Sequence, residues 1–289
     1  MKSGFVAIFG KPNAGKSTLL NALVGEKLAI VSHKSQTTRH RIRAFLNGPD
    51  YQVIFSDTPG IITPEYKLHE KMMGAVKSSL EDADLALLLV DVRDNPEEVS
   101  PVFESLRLKV PAIVVLNKTD LAPAETVRKA AEFYDSRSYC REVLPISALR
   151  KLQLDALIQR IIHYLPEGDA FFADDDLTDL PTRFFAGELI REKIYELFEQ
   201  EIPYQATVMV TEFKEQPHIV RIKADIVVQR ESQKAILLGE KGSMIKKLGT
   251  EARQSIEAFL GHRVYLELFV KVRPKWRDNE LHLREYGYS

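Results

Sequence analysis

The sequence predicts an α/β domain with a mostly parallel sheet and helices on both faces, followed by a smaller α+β module. Three observations predict it. A glycine-rich stretch, Gly10-Lys11-Pro12-Asn13-Ala14-Gly15-Lys16-Ser17, separates an apolar run at 5–9 from residues 17–24, where Leu19, Leu20, Leu23 and Val24 recur at helical spacing. Two later apolar runs, 85–92 and 112–116, flank a helical pattern at 99–108, which is the βαβ rhythm of a parallel sheet. Past an acidic, proline-containing break the rhythm becomes helix, two strands, two helices and a strand.

Each element follows from its residues. Residues 30–43 are polar and rich in Ser, Thr, Arg and His, as a loop would be. Residues 41–46 and 51–55 flank the turn Asn47-Gly48-Pro49-Asp50 and predict an antiparallel hairpin. A short strand at 143–146 and a helix at 152–165, with Leu154, Leu157, Ile158, Ile161, Ile162 and Leu165 on one face, close a first domain at 1–166. Residues 167–182, with Asp174-Asp175-Asp176, Asp179 and Pro181, are expected to form a solvated acidic linker rather than a metal site. The second domain, 183–289, is expected to hold a helix at 185–198, strands at 207–213 and 219–228, helices through 235–259, a strand at 264–272 and a basic tail.

Composition bounds the function. With 289 residues, 45% hydrophobic and 28% charged, the chain has material for two cores. Its one cysteine, Cys140, excludes an internal disulfide framework and a Cys-based zinc site. The N-terminus lacks the apolar core of a signal peptide and no apolar run has the length of a membrane span, so a cytoplasmic protein is expected. A formal net charge of −1 gives no global attraction to nucleic acid. Any such binding must come from a local patch.

The glycine-rich stretch fits the phosphate-binding pattern G-x-x-x-x-G-K-S/T, and its setting between strand and helix is the one that pattern requires. Main-chain N–H groups at a helix start surround the phosphates, Lys16 reaches the β/γ oxygens, and the Ser17 hydroxyl ligates Mg²⁺, with Thr18 next in the helix. After the strand at 112–116, Asn117-Lys118-Thr119-Asp120 chooses the base. The Asp120 carboxylate accepts from guanine N1–H and the N2 amine, whereas adenine would leave it unpaired. Ser147-Ala148-Leu149, after the next strand, is placed for a main-chain N–H to reach guanine O6. Asp57-Thr58-Pro59-Gly60 supplies a carboxylate for Mg²⁺ through water and an N–H, that of Gly60, for the γ-phosphate. In Gln36-Thr37-Thr38-Arg39 the register favours Thr38 over Thr37 as a Mg²⁺ ligand. The expected metal set is Ser17, Thr38 and Asp57.

These motifs resemble the translation-factor-like GTPases, and nearly the full length resembles the Era family, bacterial ribosome-assembly GTPases with a C-terminal KH domain. The resemblance implies a P-loop GTPase domain followed by a type II KH domain. One departure from Ras-like enzymes is Ile61, which follows Gly60 where they place a water-orienting glutamine. GTPases similar to this one carry an asparagine at the Asn13 position beside a K⁺ ion, which implies K⁺ at Asn13 as an arginine-finger-like charge. Lys16, Asn13, Thr38 and Gly60 are then the expected catalytic groups.

In the second domain, residues 236–248 resemble the KH core, whose G-x-x-G loop, here Gly239-Glu240-Lys241-Gly242, clamps single-stranded RNA. Ile245, Lys246 and Lys247 follow in the same pattern. From 241 to 277 nine Lys or Arg face three Glu, a local excess of six in a neutral chain. Lys271, Arg273 and Lys275 belong to that patch. Trp276 reads equally as a base-stacking aromatic and as a packing anchor. The family implies a monomer acting on the 3′ end of 16S rRNA during small-subunit maturation, with GTP and GDP as ligands. One alternative is an RNA-binding or chaperone module that holds GTP as a structural ligand. Another is a membrane-surface GTPase, or a peripheral membrane fraction, using the basic patch on anionic lipid; no amphipathic or lipidation signal accompanies it.

Overall fold

The computed structural model describes Met1–Tyr288. The chain forms two compact units: Met1–Thr63 with Met72–Asp179, and Pro64–Lys71 with the residues from Leu180 onward.

The first unit is built on six strands: β1 (Lys2–Phe9), β2 (Ile42–Gly48), β3 (Tyr51–Asp57), β4 (Leu85–Asp91), β5 (Ala112–Asn117) and β6 (Glu142–Pro145). Their order is β2-β3-β1-β4-β5-β6. Only β2 runs antiparallel to its neighbour; the rest pair in parallel. Every residue of β4 and β5 is buried, so their unbroken apolar runs reflect cover on both faces. On one face Ala7, Phe9, Leu88, Val90 and Val114 pack with Val76, Val99, Phe103 and Tyr134. These four come from α2 (Lys67–Asp82), α3 (Pro96–Ser105) and α4 (Ala124–Asp135). Helices α1 (Lys16–Val24) and α5 (Leu154–Tyr164) contact each other and the neighbouring strands β1, β2 and β3. Helices α2 and α4 are additions to the elements expected from sequence.

The acidic stretch does more than connect. Asp174, Asp175 and Asp176 are exposed, as expected of solvated acids, but the residues around them bind the first unit. Phe172 stacks on Phe45 with ring centroids 4.0 Å apart, and Phe171 meets Phe5 edge-on at 4.9 Å. Gln52 Oε1 accepts the N–H groups of Phe171 and Phe172, and Phe45 N–H donates to the Leu177 carbonyl at 2.9 Å. β2 is an edge strand with unpaired polar groups on its outer side, and this strap supplies them with partners.

The second unit carries β7 (Thr207–Gln216), β8 (Ile219–Val228) and β9 (Val264–Val272) in that order. β7 is antiparallel and β9 parallel to β8. The helices are α6 (Thr182–Leu197), α7 (Ile202–Gln205), α8 (Glu231–Leu238), α9 (Ser243–Leu260) and α10 (Glu280–Glu285). Setting aside α7 and α10, the order α6-β7-β8-α8-α9-β9 is that of a type II KH domain. Its core joins Ile190 and Ile194 of α6, Ile222, Ala224 and Ile226 of β8, Leu237 of α8 and Leu248, Ala252 and Ile256 of α9.

Candidate nucleotide site and candidate RNA loop

The predicted site residues of the first unit converge where the parallel strands end, the usual ligand position in an open α/β sheet. A cavity of about 560 Å³ there is lined by Asn13, Lys16, Ser17, Thr38, Lys118 and Asp120, among others. Gly15 opens helix α1 with φ 101°, and a Cβ there would collide with Asn117 Nδ2, so two separate motifs require the glycine. Gly10 passes under β4: a Cβ would lie 2.5 Å from the Leu89 carbonyl. Gly60 leaves no room either, with Pro12 backbone 2.9 Å from its ideal Cβ.

The base-selecting loop is fastened to the phosphate loop. Asn117 Nδ2 donates to the Ala14 carbonyl at 2.9 Å, and Lys118 Nζ to the Asn13 carbonyl at 2.7 Å. Asn117 Oδ1 accepts the Ala148 N–H at 2.9 Å, which brings the β6 loop into the same network. Thr119 turns away from the cavity and bonds the Ile146 carbonyl, and Ser147 Oγ accepts from Arg150 N–H. Both hold loops in place. Asp120 lies at the rim, 3.9 Å from the exposed Arg150 guanidinium.

Deeper in, three oxygens gather. Ser17 Oγ lies 2.6 Å from Asp57 Oδ2 and 2.8 Å from Thr38 Oγ1, and Thr38 Oγ1 lies 3.3 Å from the same carboxylate. Thr37 instead donates to the Lys34 carbonyl, so it is Thr38 that joins the cluster. Asp57 Oδ1 is buried without a hydrogen-bond partner among the described residues. Burial pushes its carboxyl up, against the lowering pull of Lys16 and of bonds from Ser17, Thr38 and the Thr58 N–H. Burial likewise pulls Lys16 down to about 8, opposed by Asp57. The Lys16 ammonium curls back onto the Gly10 and Lys11 carbonyls at 3.1 and 3.0 Å. Two oxygen ligands beside an orphaned buried carboxylate oxygen are a donor set suited to a hard cation such as Mg²⁺.

Two residues of this turn brace the site. Ile61 packs its side chain with the apolar face of α2, α3 and α4, and its N–H donates to the Gly10 carbonyl at 3.2 Å. Thr58 is fully buried with its hydroxyl on the Ile8 carbonyl, which makes it a brace for the turn.

A family model described as 50S ribosome-binding GTPase matches residues 5–118, and a KH domain model matches 201–277. GTPase Era of Geobacter sp. (strain M21) is 44% identical over 291 residues, covering 100% of this chain and 98% of that protein. The chain belongs to the Era family of GTPases. Two solved Era structures superpose with a TM-score of 0.95 at 42% identity. One, from Aquifex aeolicus and bound to GDP and AlF4⁻, is covered completely, as is this chain. The other is Era in complex with MgGDPNP and nucleotides 1506–1542 of 16S ribosomal RNA, with 100% of this chain and 99% of that one covered.

The KH domain of this Era-family GTPase presents its G-x-x-G loop between α8 and α9. Gly239 and Gly242 both have positive φ, at 68° and 80°, and Lys241 between them is also left-handed at 51°. A Cβ on Gly239 would strike Met244, whereas one on Gly242 would meet only Ile245 Cγ2, at 3.9 Å. Glu240, Lys241, Lys246 and Lys247 are exposed, and Ile245 packs against the core. Two of the RNA candidates are tied into the fold. Trp276 is fully buried, donates Nε1–H to the Gln205 carbonyl at 2.9 Å and packs with Tyr286 and Tyr288; it is the anchor, not a stacking platform. Lys271 alternates with the core residues Leu268, Val270 and Val272, so it points away from the helical layer, and pairs with Asp225 at 2.5 Å. Arg273 and Lys275 remain exposed.

Asp91 and Arg93, which belong to none of the sequence motifs, also line the nucleotide cavity. A signal existed for Asp91: it ends the buried run of β4 as Asn117 ends that of β5, and the two are register partners.

Proposed function

We propose that this Era-family GTPase binds GTP and GDP through residues 10–18, 57–60, 117–120 and 147–149, and binds the single-stranded 3′ end of 16S rRNA through its KH loop. It would act during maturation of the small ribosomal subunit, as a monomer. The observation that carries the nucleotide half is the pair of bonds from Asn117 and Lys118 to the Ala14 and Asn13 carbonyls, which join guanine recognition to the phosphate loop. The RNA half rests on the exposed Gly239-Glu240-Lys241-Gly242 loop and on the full-length likeness to an Era solved with 16S rRNA nucleotides.

Ser17, Thr38 and Asp57 would hold Mg²⁺, which supplies charge neutralisation at the β- and γ-oxygens when bound. The chain's own groups do the rest. Lys16 exchanges its two loop carbonyls for phosphate oxygens, whose negative charge favours the ammonium that burial disfavours. Asp120 accepts from the guanine N1–H and N2 amine, and with the Ala148 N–H held by Asn117 Oδ1 the Leu149 N–H is the main-chain donor for O6. Gly60 brings its N–H to the γ-phosphate because Pro12 permits no side chain there. For K⁺ the candidate is Asn13, whose side-chain amide meets the His33 carbonyl at 3.0 Å, a pairing of two amide groups whose oxygens suit a large monovalent ion. The domain limits follow the same reading: the GTPase domain is 1–166, its strap 167–182 and the KH domain 183–289.

Single-turnover hydrolysis of GTP and ATP, with and without a single-stranded 3′ rRNA oligonucleotide, tests the reading. The expected result is hydrolysis of GTP alone, faster with RNA. Tight GTP binding with no turnover in either condition would leave GTP as a structural ligand and overturn it.

A further inference from the structure

Lys118 is the cation of the base-selecting loop, and what aims it lies outside every motif in the sequence. Its backbone is left-handed, with φ 64°, which directs the side chain back across the loop. The ammonium then sits between two oxygens: the Asn13 carbonyl at 2.7 Å and Asp91 Oδ2 at 2.9 Å. Asp91 is itself fixed. Arg93 donates to Asp91 Oδ1 from its main-chain N–H at 3.1 Å and from Nε at 2.9 Å, and to Oδ2 from a terminal nitrogen at 2.6 Å. Register pairing with Asn117 and the Val92 N–H bond to the Asn117 carbonyl lock the ends of β4 and β5 together. Burial opposes ionisation of Asp91, but the bonds from Arg93 and Lys118 outweigh it and hold its carboxyl well below the usual range.

We propose that Asp91, held by Arg93, is a positioning residue for guanine-nucleotide binding: it fixes the Lys118 ammonium against the Asn13 carbonyl and so joins the base loop to the phosphate loop. This rests on the guanine-site reading above. Without the carboxylate, the Lys118 side chain loses its charged partner and regains rotamer freedom, and the left-handed Asn13 loses the donor on its carbonyl. The consequence falls on affinity, because Asp91 bonds to Lys118 and Arg93 and has no role at the γ-phosphate.

A double-mutant cycle tests it, with GDP dissociation constants measured for the full chain carrying Asp91→Asn, Lys118→Ala or both. Each single variant should weaken GDP binding by about tenfold, the value of one charged hydrogen bond. The double variant should bind no more weakly than Lys118→Ala, because Asp91 acts through that lysine. Arg93→Ala, at an exposed position, should weaken GDP binding by about threefold with an unchanged melting temperature, and Asp91→Glu should recover most of the loss. Penalties that multiply in the double variant, or wild-type affinity in Asp91→Asn beside a weakened Lys118→Ala, would overturn the proposal. If Lys118→Ala and Asp120→Asn both bound GDP as wild type does, the guanine-site reading itself would fall. Should Asp91→Asn fail to fold, Arg93→Ala decides: wild-type GDP affinity there would sink the proposal.

Discussion

The nucleotide site and the RNA loop are both glycine-punctuated turns leading into a helix, yet they are held in opposite ways. Around Lys16 the polar atoms interlock: Asn117 and Lys118 bond the carbonyls of the phosphate loop, Gly15 has no room for a Cβ, and Ser17, Thr38 and Asp57 share one cluster. Around Gly242 the loop stands in the open with Glu240 and Lys241 exposed, and a Cβ added to Gly242 itself would meet only Ile245 Cγ2, at 3.9 Å. The first site recognises by geometry. The second offers backbone and charge, so its affinity should respond to salt where the first responds to fit.

The largest effect should come from breaking that geometry at the base. Asp120→Asn exchanges an acceptor for a group that can donate, so GTP affinity should fall by about 10⁴-fold while xanthosine triphosphate binding rises. Competition binding with the two nucleotides measures it, and undiminished GTP affinity would remove Asp120 from its role. Next, Lys16→Ala should lower single-turnover hydrolysis by about 10²-fold or more, because the developing phosphoryl charge loses its fixed cation. In the KH domain, Gly242→Asp should weaken RNA binding by about 10²-fold and leave GDP affinity alone. The site has φ 80°, which strains any side chain, and the new carboxylate would face phosphates.

A pH titration separates the sites further. Lys16 is lowered from 10.5 to about 8, so between those values the unfolded chain binds more protons than the fold. Stability of the unliganded protein should therefore rise with pH across that window and sit flat at its lower level below it. Phosphate needs the ammonium, so GDP affinity should fall as pH rises through about 8, approaching tenfold per unit. RNA binding should show no such break. The smallest effect is expected of Lys246→Ala with Lys247→Ala: a uniform affinity loss across RNA sequences and a salt slope shallower by about 0.7 per lost phosphate contact. An unchanged slope would make Arg273 and Lys275 the phosphate contacts.

Legibility in the sequence followed the same divide. The phosphate loop, the base loop and the buried strands β4 and β5 are readable because unbroken apolar runs deliver each motif to the end of a strand. Helix α2 escapes because its buried residues, Leu68, His69, Met72, Val76 and Ser79, include two polar side chains and are interspersed with Glu, Lys and Ser. The strap at 171–179 reads as linker because its charge is real; its attachment depends on Gln52 and Phe45, more than 100 positions away. Trp276 could be resolved only by its distant partner, the Gln205 carbonyl. Lys271 was resolvable: strand parity with Leu268 and Val270 already places it on the far face.

The contrast between the two sites is tested most directly by measuring GDP and 3′ rRNA oligonucleotide binding to the wild-type protein and to Gly242→Asp across a series of salt concentrations, using fluorescence anisotropy. The expected result is a steep salt dependence for RNA and a shallow one for GDP in the wild type, with RNA binding lost and GDP binding intact in the variant. Tight, salt-dependent RNA binding by Gly242→Asp would contradict it.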